Sequence, residues 1–181
     1  MNSMNMSDEL FEIVDESGQV LGVRPRRECH GNPALIHQAV HLLVFNRRGE
    51  LFLQKRAKNK DVQPGKWDSS VGGHMQPGET PLQAVLRETE EELGLRDTPV
   101  HFVYQYLWRN ARESELIRTY VAISGGPFVL QASEIDEGRF WSPTEITAHL
   151  GQDCFTPNFE FELQKFQTEG AVLLRALLSP R

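Results

Sequence analysis

Gly73, Glu79, Arg87, Glu88, Glu91, Glu92 and Gly94 fall at set intervals within the stretch from Gly73 to Leu95, and no other part of the chain constrains its fold as tightly. Thr80, Pro81 and Gln83 make a capping-box pattern with proline at the first helical position, so a helix is expected to start there. Gly94 supplies a left-handed stop, and the predicted helix runs over about 81–93 with Leu82, Val85, Leu86 and Leu93 as its apolar stripe. Glu88, Glu91 and Glu92 stand at i, i+3 and i+4, so three carboxylates are expected on one patch about a turn high. Like charges that close repel, and a hard divalent cation such as Mg²⁺ or Mn²⁺ relieves the repulsion. The plain alternative is a solvated acidic helix face. The glycine-rich loop Gly72–Gly78, which lets backbone groups approach an ion or a phosphate, favours the cation site. Arg87 is placed to pair with Glu91 or to reach back to Glu79, tying loop to helix.

The rest of the chain alternates strands and helices. A hairpin is expected over about 10–24, turning at Asp15–Gly18. Ala39–Phe45 and Leu51–Gln54 read as strands around Asn46–Gly49, and Ser69–Val71 as a short strand leading to the glycine loop. Val100–Trp108 and Leu116–Ile123 form a second expected hairpin, and Phe140-Trp141 a last short strand before a helix capped by Ser142. The tail over about 156–178 is expected to be helical, with a break at Gly170. A length of 181 residues with 39% hydrophobic content suits a single domain over 1–181. The net charge of −6 argues against a nucleic acid polymer as partner. It also means that an anionic substrate needs a metal and a few placed cations to overcome the field of the protein. Cys29 and Cys154 make no disulfide framework, which suggests a reducing, cytoplasmic setting. Neither a signal peptide at the start nor a membrane-spanning stretch is expected.

The spacing Gly, five residues, Glu, seven residues, Arg-Glu, two residues, Glu-Glu, one residue, Gly is identified as the Nudix box, over 73–95. Seven such letters at roughly 6% background usage would meet by chance less than about once in a million chains of this size. The resemblance implies the Nudix fold, an α/β class architecture with a mixed β-sheet sandwiched between helices. It also implies that Glu88, Glu91, Glu92 and the carbonyl of Gly73 hold Mg²⁺ or Mn²⁺, with Glu79, Arg87 and Gly94 structural.

Over about 10–145 the chain further resembles the isopentenyl diphosphate isomerase subgroup of Nudix proteins. His30 and His37, seven apart, His74 after Gly72-Gly73, and the pair in Glu113-Ser114-Glu115 match that subgroup's metal-binding pattern. Imidazole with carboxylate suits Zn²⁺ or another transition metal. A plain loop histidine at His30 and a half-buried strand histidine at His37 are the ordinary readings. Arg56 and Lys60 lie where the isomerase contacts the diphosphate, in a run that also reads as surface charge.

Two departures oppose isomerase chemistry. Gly72 stands where the isomerase needs a cysteine, and glycine transfers no proton. The box carboxylates Glu88 and Glu91 are present here and missing there. Thr89 replaces an aliphatic residue, which questions packing more than catalysis. The resulting expectation is a hydrolase that cleaves, with metal-activated water, the diphosphate bond of a nucleoside diphosphate linked to another group or of a related organic diphosphate. Glu88, Glu92, Glu113 and Glu115 are the catalytic candidates, with Glu88, Glu113 and Glu115 as candidate bases. Trp67, Phe102, Tyr104, Tyr106 and Trp108 divide between core and a stacking surface or prenyl pocket. The alternatives are an isomerase and a non-catalytic ligand-binding module. A homodimer is the family habit.

Overall fold

The structure is a computed structural model and describes residues 9–179. The opening residues, read above as carrying no signal peptide, lie mostly outside that span. Among the described residues nine strands form one mixed sheet: β1 Leu10–Val14, β2 Val20–Pro25, β3 Ile36–Phe45, β4 Leu51–Arg56, β5 Trp67–Asp68, β6 Val71–His74, β7 His101–Arg109, β8 Ser114–Ile123 and β9 Ile135–Trp141. The helices are α1 Arg26–Cys29, α2 Pro81–Leu93, α3 Pro143–His149, α4 Pro157–Glu169 and α5 Ala171–Leu178. No described helix is long and apolar enough to cross a membrane.

β3 organises the sheet. One of its edges pairs along its whole length with β8 in parallel, Ile36 opposite Ser114 through Phe45 opposite Ile123. Its other edge is shared in succession by β1, β6 and β4, all antiparallel. β3 and β4 pair only over Val44–Phe45 with Leu51–Phe52, and then separate. Ser70 fills the opening, accepting from the Val44 amide at 2.8 Å and donating to the Phe52 carbonyl. That is why the expected strand over Ser69–Val71 is split: β5 ends at Asp68, β6 begins at Val71, and of the two serines between them Ser70 bridges β3 and β4 while Ser69 turns to Glu162.

Alternation along β3 builds the two layers. Val40, Leu42 and Val44 pack with Ala84, Val85 and Leu93 of α2, while Ala39, Leu43 and Phe45 pack with Phe159, Leu163 and Phe166 of α4. Helices therefore cover both faces, as the Nudix architecture implies. α4 and α5 break at Gly170, α2 has the full Thr80–Gln83 capping box, and Gly94 ends it at φ 66°. β9 is longer than the expected pair Phe140-Trp141, because it runs beside β4 from Arg56 to Leu51. The one-turn helix α1 carries no periodic signal in the sequence.

The face that α2 buries differs from the expected stripe. Leu82 and Leu86 are exposed, and the inward residues are Ala84, Val85, Thr89, Glu92 and Leu93. The helix is rotated so that its acidic side, rather than its leucine flank, meets the opening in the sheet. Thr89 fills the aliphatic position without an unpaired polar atom, since its hydroxyl donates to the Val85 carbonyl one turn back.

Candidate active site and metal centres

The opening between β6 and β4 leads into a cavity of about 890 Å³. α2 brings its carboxylates to one wall. Glu92 is buried, and its Oε2 accepts from the Gly72 amide at 3.1 Å and from Gln54 Nε2 at 3.0 Å. Glu88 is also enclosed and accepts from Arg87 Nη1 at 2.7 Å, whereas half of the Glu91 side chain is exposed. The three carboxylates therefore share one wall but are buried to different depths. Burial, with the charge of Glu88, pushes Glu92 up to about 8, against the Gly72 and Gln54 donors. Burial pushes Glu88 up to about 7, against the neighbouring Arg87. A side chain at Gly73 would fall inside the Glu88 carboxylate, so only glycine lets that acid lie against the loop.

Arg87 makes both contacts that its position allows. It holds Glu79 through Nε and Nη2, both at 2.9 Å, reaches Glu91 at 3.3 Å, and donates to the His74 carbonyl at 3.1 Å.

A second group lies where the starts of β3 and β8 meet the end of β6. Register puts Glu115 opposite His37 and His74 opposite Ala39. Glu115 Oε1 is 3.3 Å from His74 Nε2 and 3.7 Å from His37 Nε2, and Glu113 Oε2 is 3.2 Å from His30 Nε2. The donor atoms of His30, His37 and His74 lie within 4.8 Å of one another, as do those of His37, Glu113 and Glu115. His37 is wholly buried with no aligned hydrogen bond at either ring nitrogen, and His30 Nε2 likewise lacks one despite its close carboxylate. Burial, with Arg26 and the neighbouring imidazoles, pulls His30 down to about 3; burial also lowers His74, against the pull of Glu115. Neutral imidazole is the ligating form. Burial raises Glu113, with the charge of Glu115 adding to it, whereas the His37 and His74 rings overcome burial and hold Glu115 well below the usual carboxylate range.

Arg56 and Lys60 both border the cavity, each already engaged: Arg56 Nη1 with Asp68 at 3.2 Å, Lys60 with Glu134. Of the aromatic candidates, Trp67, Tyr104 and Tyr106 are core, Phe102 is exposed, and only Trp108 borders the cavity. Several bordering residues were not singled out from sequence. Arg26 stands one helical turn before His30, and Arg112 directly precedes Glu113. His41 is a polar residue flanked by apolar ones within β3, and Gln54 follows an apolar run in β4, a signal legible in the sequence. Asn158 carries none, nor does Glu162, which is buried behind His41 and does not border the cavity.

The NUDIX domain family model matches residues 35–159. The chain belongs to the Nudix hydrolase family. An uncharacterized Nudix hydrolase of Yersinia pestis is 38% identical over 154 residues, covering 83% of this chain and 81% of the relative. The isopentenyl-diphosphate Delta-isomerase of Streptomyces coelicolor is 31% identical over 156 residues, covering 83% and 79%. A crystal structure from Deinococcus radiodurans shares the Nudix fold at TM-score 0.77 and 21% identity, over 87% of this chain and 98% of that one. The likeness to the isomerase subgroup is therefore found again over 83% of the chain. This Nudix protein retains all three box glutamates on α2.

Proposed function

We propose that this Nudix hydrolase cleaves, with divalent-metal dependence, a diphosphate bond in a nucleoside diphosphate linked to another group or in a related organic diphosphate. One observation carries the reading. Eight carboxylates border the cavity against five Lys and Arg side chains. Each of those five, Arg26, Arg56, Lys60, Arg87 and Arg112, is already paired with an acid of the protein. Such a cavity repels a diphosphate unless cations join it.

The residues fit such ions. Glu88 and Glu92 are buried acids whose charge burial opposes, and the Gly73 backbone lies open beside Glu88. Together with Glu91 they would hold Mg²⁺ or Mn²⁺. His30, His37, His74, Glu113 and Glu115 would hold Zn²⁺ or another transition metal, and the unpartnered nitrogens of His37 favour this. A divalent cation so placed lowers the pKa of a coordinated water and neutralises phosphoryl oxygens during in-line attack.

The protein's own groups do the rest. Gln54 and the Gly72 amide orient Glu92, Arg87 orients Glu88, and a proton from the attacking water passes to Glu88, Glu113 or Glu115. Arg56 and Lys60, while still held by Asp68 and Glu134, turn their remaining donor hydrogens toward the diphosphate. Isomerase chemistry is disfavoured because a side chain at Gly72 would meet the His41 ring at 3.3 Å, and no cysteine stands there. The intact carboxylate set disfavours a binding module.

The test is product formation from nucleoside triphosphates, nucleoside diphosphate sugars, dinucleotides, coenzyme A and prenyl diphosphates with Mg²⁺ or Mn²⁺. Wild type is expected to hydrolyse one class, and Glu92→Gln to lose at least ~100-fold in kcat while remaining folded. Binding without turnover by the wild type would reject hydrolysis.

A further inference from the structure

On the α4 side of the cavity lies a polar group that neither metal centre uses. His41 is on the α4 side of β3, opposite Gly72 on one neighbouring strand and Thr119 on the other. Its Nδ1 is 3.0 Å from Oε2 of Glu162, a wholly buried acid in the middle of α4. Ser69 Oγ donates to the same oxygen at 2.7 Å and Thr119 Oγ1 to the other at 2.5 Å. Tyr104 donates to the Glu162 backbone carbonyl at 3.3 Å. Of the pair, His41 lies within the matched span 35–159 and Glu162 just beyond it.

The carboxylate fixes the ring and its charge. Burial works against an imidazolium here, yet Glu162 overcomes it and holds His41 up to about 9. Glu162 itself is kept low, against burial, by His41 and the two hydroxyls. With Nδ1 committed to Glu162, Nε2 has no hydrogen-bond partner among the described residues, and the His41 ring borders the cavity beside Gly72. Asn158 borders the same cavity; its Oδ1 accepts from Tyr106 at 2.9 Å, which leaves its amide hydrogens unspent. Of the other acids whose charge reaches the ring, Asp68 is taken up by Arg56, Thr156 and the Ser69 amide, and Glu115 by His37 and His74. The protein thus offers donors here. A hydrocarbon placed against them would strand a charged N–H.

We propose that this end of the cavity binds an oxygen acceptor on the group attached to the diphosphate, with His41 Nε2 as the donor and Glu162 as its positioning residue. The inference rests on the diphosphate reading above and narrows it: the attached group is polar and carries a carbonyl or an anionic oxygen. An isoprenyl chain does not meet that requirement.

The test is calorimetric affinity, with Ca²⁺ as the cation, for uridine diphosphate, phosphoribosyl diphosphate and isopentenyl diphosphate. Wild type is expected to bind one or both of the first two at least tenfold more tightly than the third. A gain for uridine diphosphate alone identifies a carbonyl acceptor, and a gain for phosphoribosyl diphosphate alone an anionic one. His41→Leu should erase the preference. His41→Gln, whose amide can still donate to Glu162 and so protects the fold, should erase it too, and Glu162→Gln should reduce it while leaving isopentenyl diphosphate affinity in place. A wild type without preference, or a His41→Gln variant that keeps it, overturns the proposal. Phosphate release with Mg²⁺ is assayed separately, so a failure of the hydrolase reading is seen there and leaves the affinity ratios readable.

Discussion

Glu88, Glu91 and Glu92 come from a single stretch of α2, whereas His30, His37, His74, Glu113 and Glu115 come from four segments that meet only when β3, β6 and β8 are in register. The first set has its geometry written into helical spacing, and tertiary structure alters only how deeply each acid is buried. The second has no local geometry at all. Its donors converge because paired positions on neighbouring strands point the same way, so that Glu115 faces His37 and His74 stands beside them. The two sets also differ in chemistry: oxygen ligands with surplus negative charge on the helix, neutral imidazoles with carboxylates at the strand ends.

The sharpest way to break this contrast is a pair of variants titrated with different cations. Glu92→Gln is expected to lower turnover by at least ~100-fold whichever cation is supplied. His37→Gln should weaken Zn²⁺ or Mn²⁺ binding by about 10–100-fold, with a smaller effect on turnover supported by Mg²⁺. Identical losses in both variants for every cation would mean that the two sets act as a single centre. A smaller effect compares the arginines beside each set. Arg87→Ala leaves the enclosed Glu79 and Glu88 without their partner and should lower stability by about 2 kcal/mol in urea unfolding. Arg112→Ala breaks only an exposed pair with Asp61 and should cost about 0.5 kcal/mol or less.

A separate effect is expected from pH. His41 is raised from 6.5 to about 9 in the folded protein, so its contribution to stability is full below pH 6.5 and fades as pH rises through 9. Glu162 is lowered from 4.5, so its contribution is present above pH 4.5 and fades on acidification below it. The excess stability of wild type over Glu162→Gln, followed by thermal unfolding, should therefore be greatest between about pH 4.5 and 6.5. An excess that grows between pH 7 and 9 would contradict the pairing.

The sequence made α2, its caps, the hairpins and the break at Gly170 legible, since each depends on neighbours in the chain. It was half right about the buried face of α2, where Val85 and Leu93 are buried and Leu82 and Leu86 are not. Leu82 and Leu86 follow helical spacing, but the split between β3 and β4 draws Glu92 inward and leaves the leucines at the surface. The histidine set was legible only through family resemblance. The engagement of Arg56 and Lys60 by Asp68 and Glu134 was not legible at all, because those partners join the site through other strands and loops. The same holds for Glu162, which meets His41 from 121 positions away.

The parallel pairing of β3 with β8 joins residues 78 positions apart, Ile36 with Ser114, and the whole glycine loop and α2 lie within that span. Parallel pairing over such a separation requires closing a large loop before contacts reward it, which makes it an intrinsically slow event. His37 and Glu115 become neighbours only at that moment. Any ion held between them would then bind the completed fold and nothing earlier, so its supply would act as a thermodynamic lock on the finished sheet.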